Sequence, residues 1–196
     1  MIQLKDDCKY AMLVPTSIGV RLTPENRQPV HISHRFTMQA TSAETNVASV
    51  SSALGLPVKV LTAFVKGSPI AQFIKDDLAG RHMDVEAQEV EQGGPWGHRH
   101  QFNIADMGFG MRGPRVHNDR AGEVGRTLDV SNFDLERIFA VEGVQALHLS
   151  GLIGALSPGT GRFCVDLARA AKRHGTLISF DLNYRATFWK GREAEL

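Results

Sequence analysis

An α/β fold built on a parallel sheet, with a small β-sheet flap added to it, is the class this chain predicts. Three observations carry the prediction. Apolar, β-branched runs such as Val58 to Val65 read as buried strands. Well-bounded helical segments separate those runs, which favours parallel pairing through right-handed crossovers. Two stretches, about 17–40 and 93–120, break the rhythm with short alternating pieces.

Taken in order, Ala11 to Val14 gives the first strand. Arg35 to Ala40 alternates polar and apolar, with Phe36, Met38 and Ala40 on one face, as a half-buried strand does. Val47, Val50 and Leu54 before Gly55 have helical spacing. Val58 to Val65 is a second core strand. Ser68-Pro69 supplies an N-cap and a first-turn proline; Ile70, Phe73, Ile74 and Leu78 make an apolar face, and Gly80 can end the helix. Gly93 to Asp119 is rich in Gly, His and Arg, with strand-like pieces at His100 to Ile104 and Arg115 to His117. Val144 to Leu149 is a third core strand. Ser157-Pro158 opens another helix, with Phe163, Leu167, Ala170 and Ala171 inward and Gly175 as its stop. Thr176 to Leu182 is a fourth core strand that stops abruptly in Asp181, Asn183 and Arg185. Ligands of open α/β sheets sit beyond the carboxyl ends of the strands, and a guanidinium there suits a phosphate or carboxylate.

Composition narrows the function. A chain of 196 residues can bury a core and make one domain with a small appendage. Lys and Arg number 22 against 21 Asp and Glu, so the basic footprint of a nucleic-acid binder is missing. Cys8 and Cys164 have no Cys or His neighbours at metal-ligand spacing and read as free thiols. No apolar run approaches the roughly 20 residues that cross a bilayer, and a cytoplasmic protein without membrane partners is the expectation. Gly108-Phe109-Gly110-Met111-Arg112-Gly113 matches G-x-G-x-x-G, but Pro114 and Arg115 follow instead of a helix, so a turn in the flap is expected. His98 and His100 lack a third metal ligand, and Trp96 and Phe102 suit packing or a dimer contact.

Four further elements carry a family resemblance. They are Ala43-Glu44-Thr45-Asn46-Val47-Ala48 followed by Leu54-Gly55, then Asp119-Arg120-Ala121-Gly122, then Leu147-His148-Leu149-Ser150-Gly151, and Ser179 to Arg185 running on to Phe188-Trp189. In order and spacing they resemble the N-terminal part of the ribokinase-like, PfkB-type carbohydrate kinases, the 2-keto-3-deoxygluconate kinases among them. The resemblance implies a Rossmann-type parallel sheet with helices on both faces and a β-sheet lid, incomplete at the C-terminus, over residues 1–196. It also implies transfer of the γ-phosphoryl group of ATP, with Mg2+, to a hydroxyl of 2-keto-3-deoxygluconate or a similar acid sugar, and a homodimer through the lid or a completing chain. By the same resemblance Asn46, Arg120, Ser150, Gly151 and Arg185 would bind the sugar, and Asn183 would sit between sugar and phosphates. Without it, Arg120 reads as a surface ion pair with Asp119.

The chain departs from the family at Thr16-Ser17, Thr41-Ser42 and Lys66-Gly67-Ser68-Pro69, where glycines or acids are usual. Those glycines allow close backbone approach to a ligand, so the departures weaken the expected sugar pocket. The family's Gly-Ala-Gly-Asp motif, whose Asp is the base, is absent; Asp166 falls on a helix surface by periodicity, and Asp106 and Asp181 have no matching glycine-rich helix start. The alternative expectation is a diverged, non-catalytic sugar-binding or assembly module.

Overall fold

The computed structural model of the protein describes residues 4–196. Its main sheet joins β1 (Tyr10–Pro15), β4 (Val58–Val65), β5 (Met83–Val90), β8 (Val144–Ser150) and β9 (Leu177–Asp181). All pairs are parallel, in the order β5-β4-β1-β8-β9. The second sheet, β3-β2-β6-β7, is built from β2 (Gly19–Pro24), β3 (Phe36–Thr41), β6 (Phe102–Asp106) and β7 (Arg115–Asp119). Within it β2 runs antiparallel to β3 and parallel to β6.

Strand β4 shows why the main sheet needs cover on both faces. All eight of its residues are buried, and alternate side chains enter different cores. Val58, Val60 and Phe64 join Ala48 of α1 (Ala43–Ala53) and Ala71, Ile74 and Leu78 of α2 (Pro69–Gly80). Leu61, Ala63 and Val65 join Ile153 of the short α3 (Gly151–Ala155) and Phe163, Leu167, Ala170 and Ala171 of α4 (Pro158–Arg173). Burying each of the Val, Leu, Ile and Phe side chains among them stabilises the fold by about 1.5–3 kcal/mol.

The serine-proline starts act as expected. Ser68 Oγ accepts from the Ala71 amide, and Ser157 forms a reciprocal capping box with Thr160. Gly175, at φ 73°, ends the α4 turn. At the end of α2 the left-handed position falls on His82, φ 56°, while Gly80 remains helical.

Two expectations about burial are corrected. Helix α1 exists, but Val47, Val50 and Leu54 are exposed, and its inner face is Glu44, Thr45 and Ala48. The apolar spacing located the helix and misassigned its face, because the helix packs its polar N-terminal turn against a cleft. Strand β9 is parallel, yet Leu177, Ile178, Phe180 and Leu182 are exposed, since β9 is the sheet's edge and nothing pairs beyond it among the described residues.

Far from the cleft, Lys59 is buried in a four-charge network. Its Nζ lies 2.8 Å from Glu86 and 3.0 Å from Glu142, and Arg137 grips both carboxylates. Burial opposes the charge on Lys59, but these hydrogen bonds outweigh it and raise its pKa.

Candidate functional site

A cavity of about 410 Å3 opens between the second sheet, the N-terminal turn of α1, helix α3 and the segment after β9. That size suits a small molecule. Each wall follows from local chain geometry. Ser42 caps α1 through the Thr45 amide, 3.0 Å, which sets Glu44 and Asn46 in the first turn facing the cleft. The alternation of β2 puts Arg21 on its lining, and β6 and β7 contribute Asn103 and Asn118. Helix α5 (Ala186–Trp189) is anchored by Trp189, whose indole N–H donates to Gly151 O at 2.9 Å, and this holds Arg185 and Phe188 at the opposite wall.

The floor is a buried hydroxyl and carboxylate network. Glu44 accepts from Thr16 Oγ1 at 2.6 Å and from Ser150 Oγ. Glu123 accepts from Ser17 Oγ and from Arg120 Nη1 at 2.7 and 3.0 Å. The Arg120 guanidinium carbon lies over the Phe188 ring, 5.6 Å from its centroid. Thr16, Ser17, Thr41 and Ser42, the departures expected to weaken the pocket, are all buried, and none has a positive φ. The hydroxyls of Thr16 and Ser17 hold two carboxylates and that of Ser42 caps a helix, and none of the four positions has the positive φ that favours glycine.

The structure brings Asn46, Arg120 and Arg185 onto one cavity lining. Ser150 is buried one layer below, through Glu44. Gly151 opens α3, where a side chain would overlap the Leu182 carbonyl as the chain passes. Asn183 is not on the lining; its backbone, at φ 40°, donates to Asp181 Oδ1 at 2.9 Å in a tight turn. The expected Arg120–Asp119 pair is not formed, since Asp119 pairs with Arg99 at 2.7 Å and Arg120 with Glu123.

Arg21, Gln101, Asn103, Asn118 and Glu123 escaped the sequence reading. Arg21 has no hydrogen-bond or ion-pair partner among the described residues, and its Nε is buried. Gln101 is 2% exposed, with Oε1 unpartnered. Glu123 stands three residues after Arg120, a spacing that could have signalled the pair. With Arg21, Arg120 and Arg185 set against Glu44 and Glu123, the site carries one net positive charge. Amides of Asn46, Asn103 and Asn118 offer both donors and acceptors to hydroxyl groups.

The remaining candidates are not on the cavity lining. His100 Nδ1 lies 3.0 Å from Ile18 O and its Nε2 accepts from the Val65 amide, so it holds the second sheet to β4 as a neutral ring. Burial lowers its pKa. The G-x-G-x-x-G stretch is the turn joining β6 to β7, closed by reciprocal Phe109 and Arg112 backbone bonds. Trp96 is fully exposed, and Phe102 packs on the α2 side of the core. Cys8 and Cys164 are free thiols. Among the described residues no group of three metal-binding side chains occurs, and no helix is long and apolar enough to cross a membrane.

No family model matches the chain. Among curated proteins it is similar to the 2-dehydro-3-deoxygalactonokinase of Haloferax volcanii, 25% identical over 175 residues, covering 89% of this chain and 52% of the relative. A PfkB family carbohydrate kinase from Listeria grayi has a TM-score of 0.83 at 29% identity, over 94% of this chain and 55% of its own. The 2-dehydro-3-deoxygluconokinase of Thermotoga maritima has a TM-score of 0.84 at 24% identity, over 94% and 54%. An uncharacterized sugar kinase from Pyrococcus horikoshii in complex with ATP gives 0.72 at 16%, over 94% and 57%. The chain thus spans about half the length of the relatives it matches. In fold it is ribokinase-like, and in sequence and structure it is a relative of the PfkB-type carbohydrate kinases, matching their N-terminal part.

Proposed function

We propose that this chain is the acceptor-binding part of a sugar kinase and that its cleft takes 2-keto-3-deoxygluconate or a similar acid sugar. The observation that carries the reading is the cavity itself: three arginines and several amides lining one concave site beside the second β-sheet. An acid sugar presents a carboxylate and several hydroxyls, which those groups match. Two relatives are named as kinases of 2-dehydro-3-deoxy sugar acids, which supports the same substrate class.

Asn46, Arg120 and Arg185 are the proposed sugar contacts, with Ser150 and Gly151 shaping the floor. ATP and Mg2+ are the proposed donor pair, and phosphoryl transfer would depend on positioning and charge compensation. For the nucleotide the fit is one-sided. Arg185, bonded only to Tyr184 O at 3.2 Å, can pair with a phosphate, whereas Asn183 is off the lining and no metal cluster is present among the described residues. No transfer step is assigned to these side chains.

A second reading, a sugar-binding or assembly module without catalysis, draws on the carboxylates. Asp106 pairs with Arg112, Asp166 with Arg169, and Asp181 closes a turn, which leaves none of the three placed as a base. Calorimetric titration with 2-keto-3-deoxygluconate, ribose and fructose tests the binding claim. Heat with the acid sugar alone is expected, and no heat with any of the three would retire the pocket. Phosphorylation of the bound sugar from ATP would exclude the module reading.

A further inference from the structure

We propose that Arg21, rather than Arg120, receives the substrate carboxylate, with Gln101 Oε1 accepting a hydrogen from a neighbouring hydroxyl; the inference rests on the acid-sugar reading of the cleft. Both arginines line the cavity, but their states differ. Arg120 already has a carboxylate: Nη1 lies 2.7 and 3.0 Å from the two oxygens of Glu123, which is 2% exposed, and its guanidinium carbon sits over the Phe188 ring. A second anion brought to Arg120 would meet the Glu123 charge beside it, and like charges at such range repel strongly in a partly dry site.

Arg21 has the opposite character. It stands on β2 of the second sheet, lines the cavity, and has no acceptor among the described residues, although its Nε is shielded from solvent. A shielded guanidinium donor without a partner is costly unless a ligand supplies the acceptor. The planar fork of arginine fits a carboxylate through two parallel hydrogen bonds.

Gln101 supplies a second, independent sign of a ligand. Its amide nitrogen donates to Ser17 O at 3.5 Å, which leaves Oε1 as a buried, unpartnered acceptor on a residue that lines the cavity. The side chain is held there by tight packing, since a Cβ on Gly19 would overlap it. An acceptor on the same cavity lining as an unpaired cation fits a molecule carrying a hydroxyl next to a carboxylate-bearing carbon chain, the pattern of a polyhydroxy acid. A neutral sugar would leave Arg21 unanswered.

The test compares 2-keto-3-deoxygluconate with its methyl ester, which keeps the carbon skeleton and removes the charge, by calorimetry on the full chain. The wild-type protein is expected to prefer the acid by roughly ten- to a hundredfold. Arg21→Met is expected to bring acid and ester level while still melting cooperatively, and Arg21→Lys to restore part of the preference. Arg120→Met is expected to keep the preference and to lower the midpoint, because it strands Glu123. If Arg21→Met keeps the preference and Arg120→Met loses it, the assignment is overturned while the acid-sugar site stands. If the wild-type protein binds neither compound, the acid-sugar reading falls and this inference falls with it.

Discussion

Replacing Glu123 by glutamine should lower stability and raise affinity for the acid sugar in one step. Glu123 accepts two hydrogen bonds from Arg120 and one from Ser17, and it is almost wholly buried. Breaking a buried ion pair by removing one partner costs about 3–5 kcal/mol. Here glutamine keeps the shape and one acceptor, and Arg120 borders an open cavity, so the loss should be nearer about 1–2 kcal/mol. For a chain of this length that lowers the thermal midpoint by roughly 2–8 °C. The same change removes a negative charge from the cleft and frees Arg120. At about 7 Å and an effective dielectric near 20, one unit charge contributes about 2 kcal/mol, which corresponds to at least about tenfold in affinity. Thermal melts followed by circular dichroism, with calorimetry at low salt, read both quantities. A variant that melts lower and binds the acid more weakly would show that Glu123 holds the ligand, and would refute the claim that it screens Arg120.

Lys59→Met should cost about 2–3 kcal/mol at neutral pH, less than a fully broken buried pair because Arg137 still bridges Glu86 and Glu142. Burial tends to raise the Glu86 pKa, but hydrogen bonds from Lys59 and Arg137 outweigh it and hold it below 4.5. Its stabilising contribution is therefore present above pH 4.5 and lost as pH falls through the folded value, so the gap between variant and wild type should narrow over that window in pH-dependent urea melts. His100 is held neutral below its ordinary 6.5, mainly by burial, with the Ile18 hydrogen bond and Glu89 opposing and Lys75 assisting. Wild type should lose stability relative to His100→Gln as pH drops from 6.5 toward the folded value, and parallel profiles for the two would contradict this. The exposed edge of β9, with Leu177, Ile178 and Phe180 at its surface, should drive self-association, seen by sedimentation and reduced by Ile178→Lys. A monomeric wild type at micromolar concentration would count against it.

The elements legible in the sequence were those with strong local signals. The uninterrupted run of β4 and the Ser-Pro starts of α2 and α4 specify their structure almost without tertiary help. Strands β2 and β5 were hidden for physical reasons. β5 is an edge strand whose Asp84, Glu86 and Gln88 make it read as polar, and Glu86 belongs there only because Lys59 lies within reach on β4. β2 carries Gly19, Arg21 and Pro24, weak strand formers that the neighbouring strands hold in place. The site was legible to the same extent. Asn46, Arg120 and Arg185 stood in motifs, whereas Arg21 and Gln101 became visible only when β2 and the segment before β6 met across the cleft. The pairing of Arg120 with Glu123 decides what Arg120 can do, and sequence offered two acids, Asp119 and Glu123, without choosing between them.

Amide chemical-shift mapping during titration with 2-keto-3-deoxygluconate tests the proposed cleft most directly. Saturable shifts should gather at Thr16 to Arg21, Ser42 to Asn46, Gln101 to Asn103 and Arg185, and leave the Lys59 network still. Shifts scattered over the surface, or none at millimolar sugar, would contradict it.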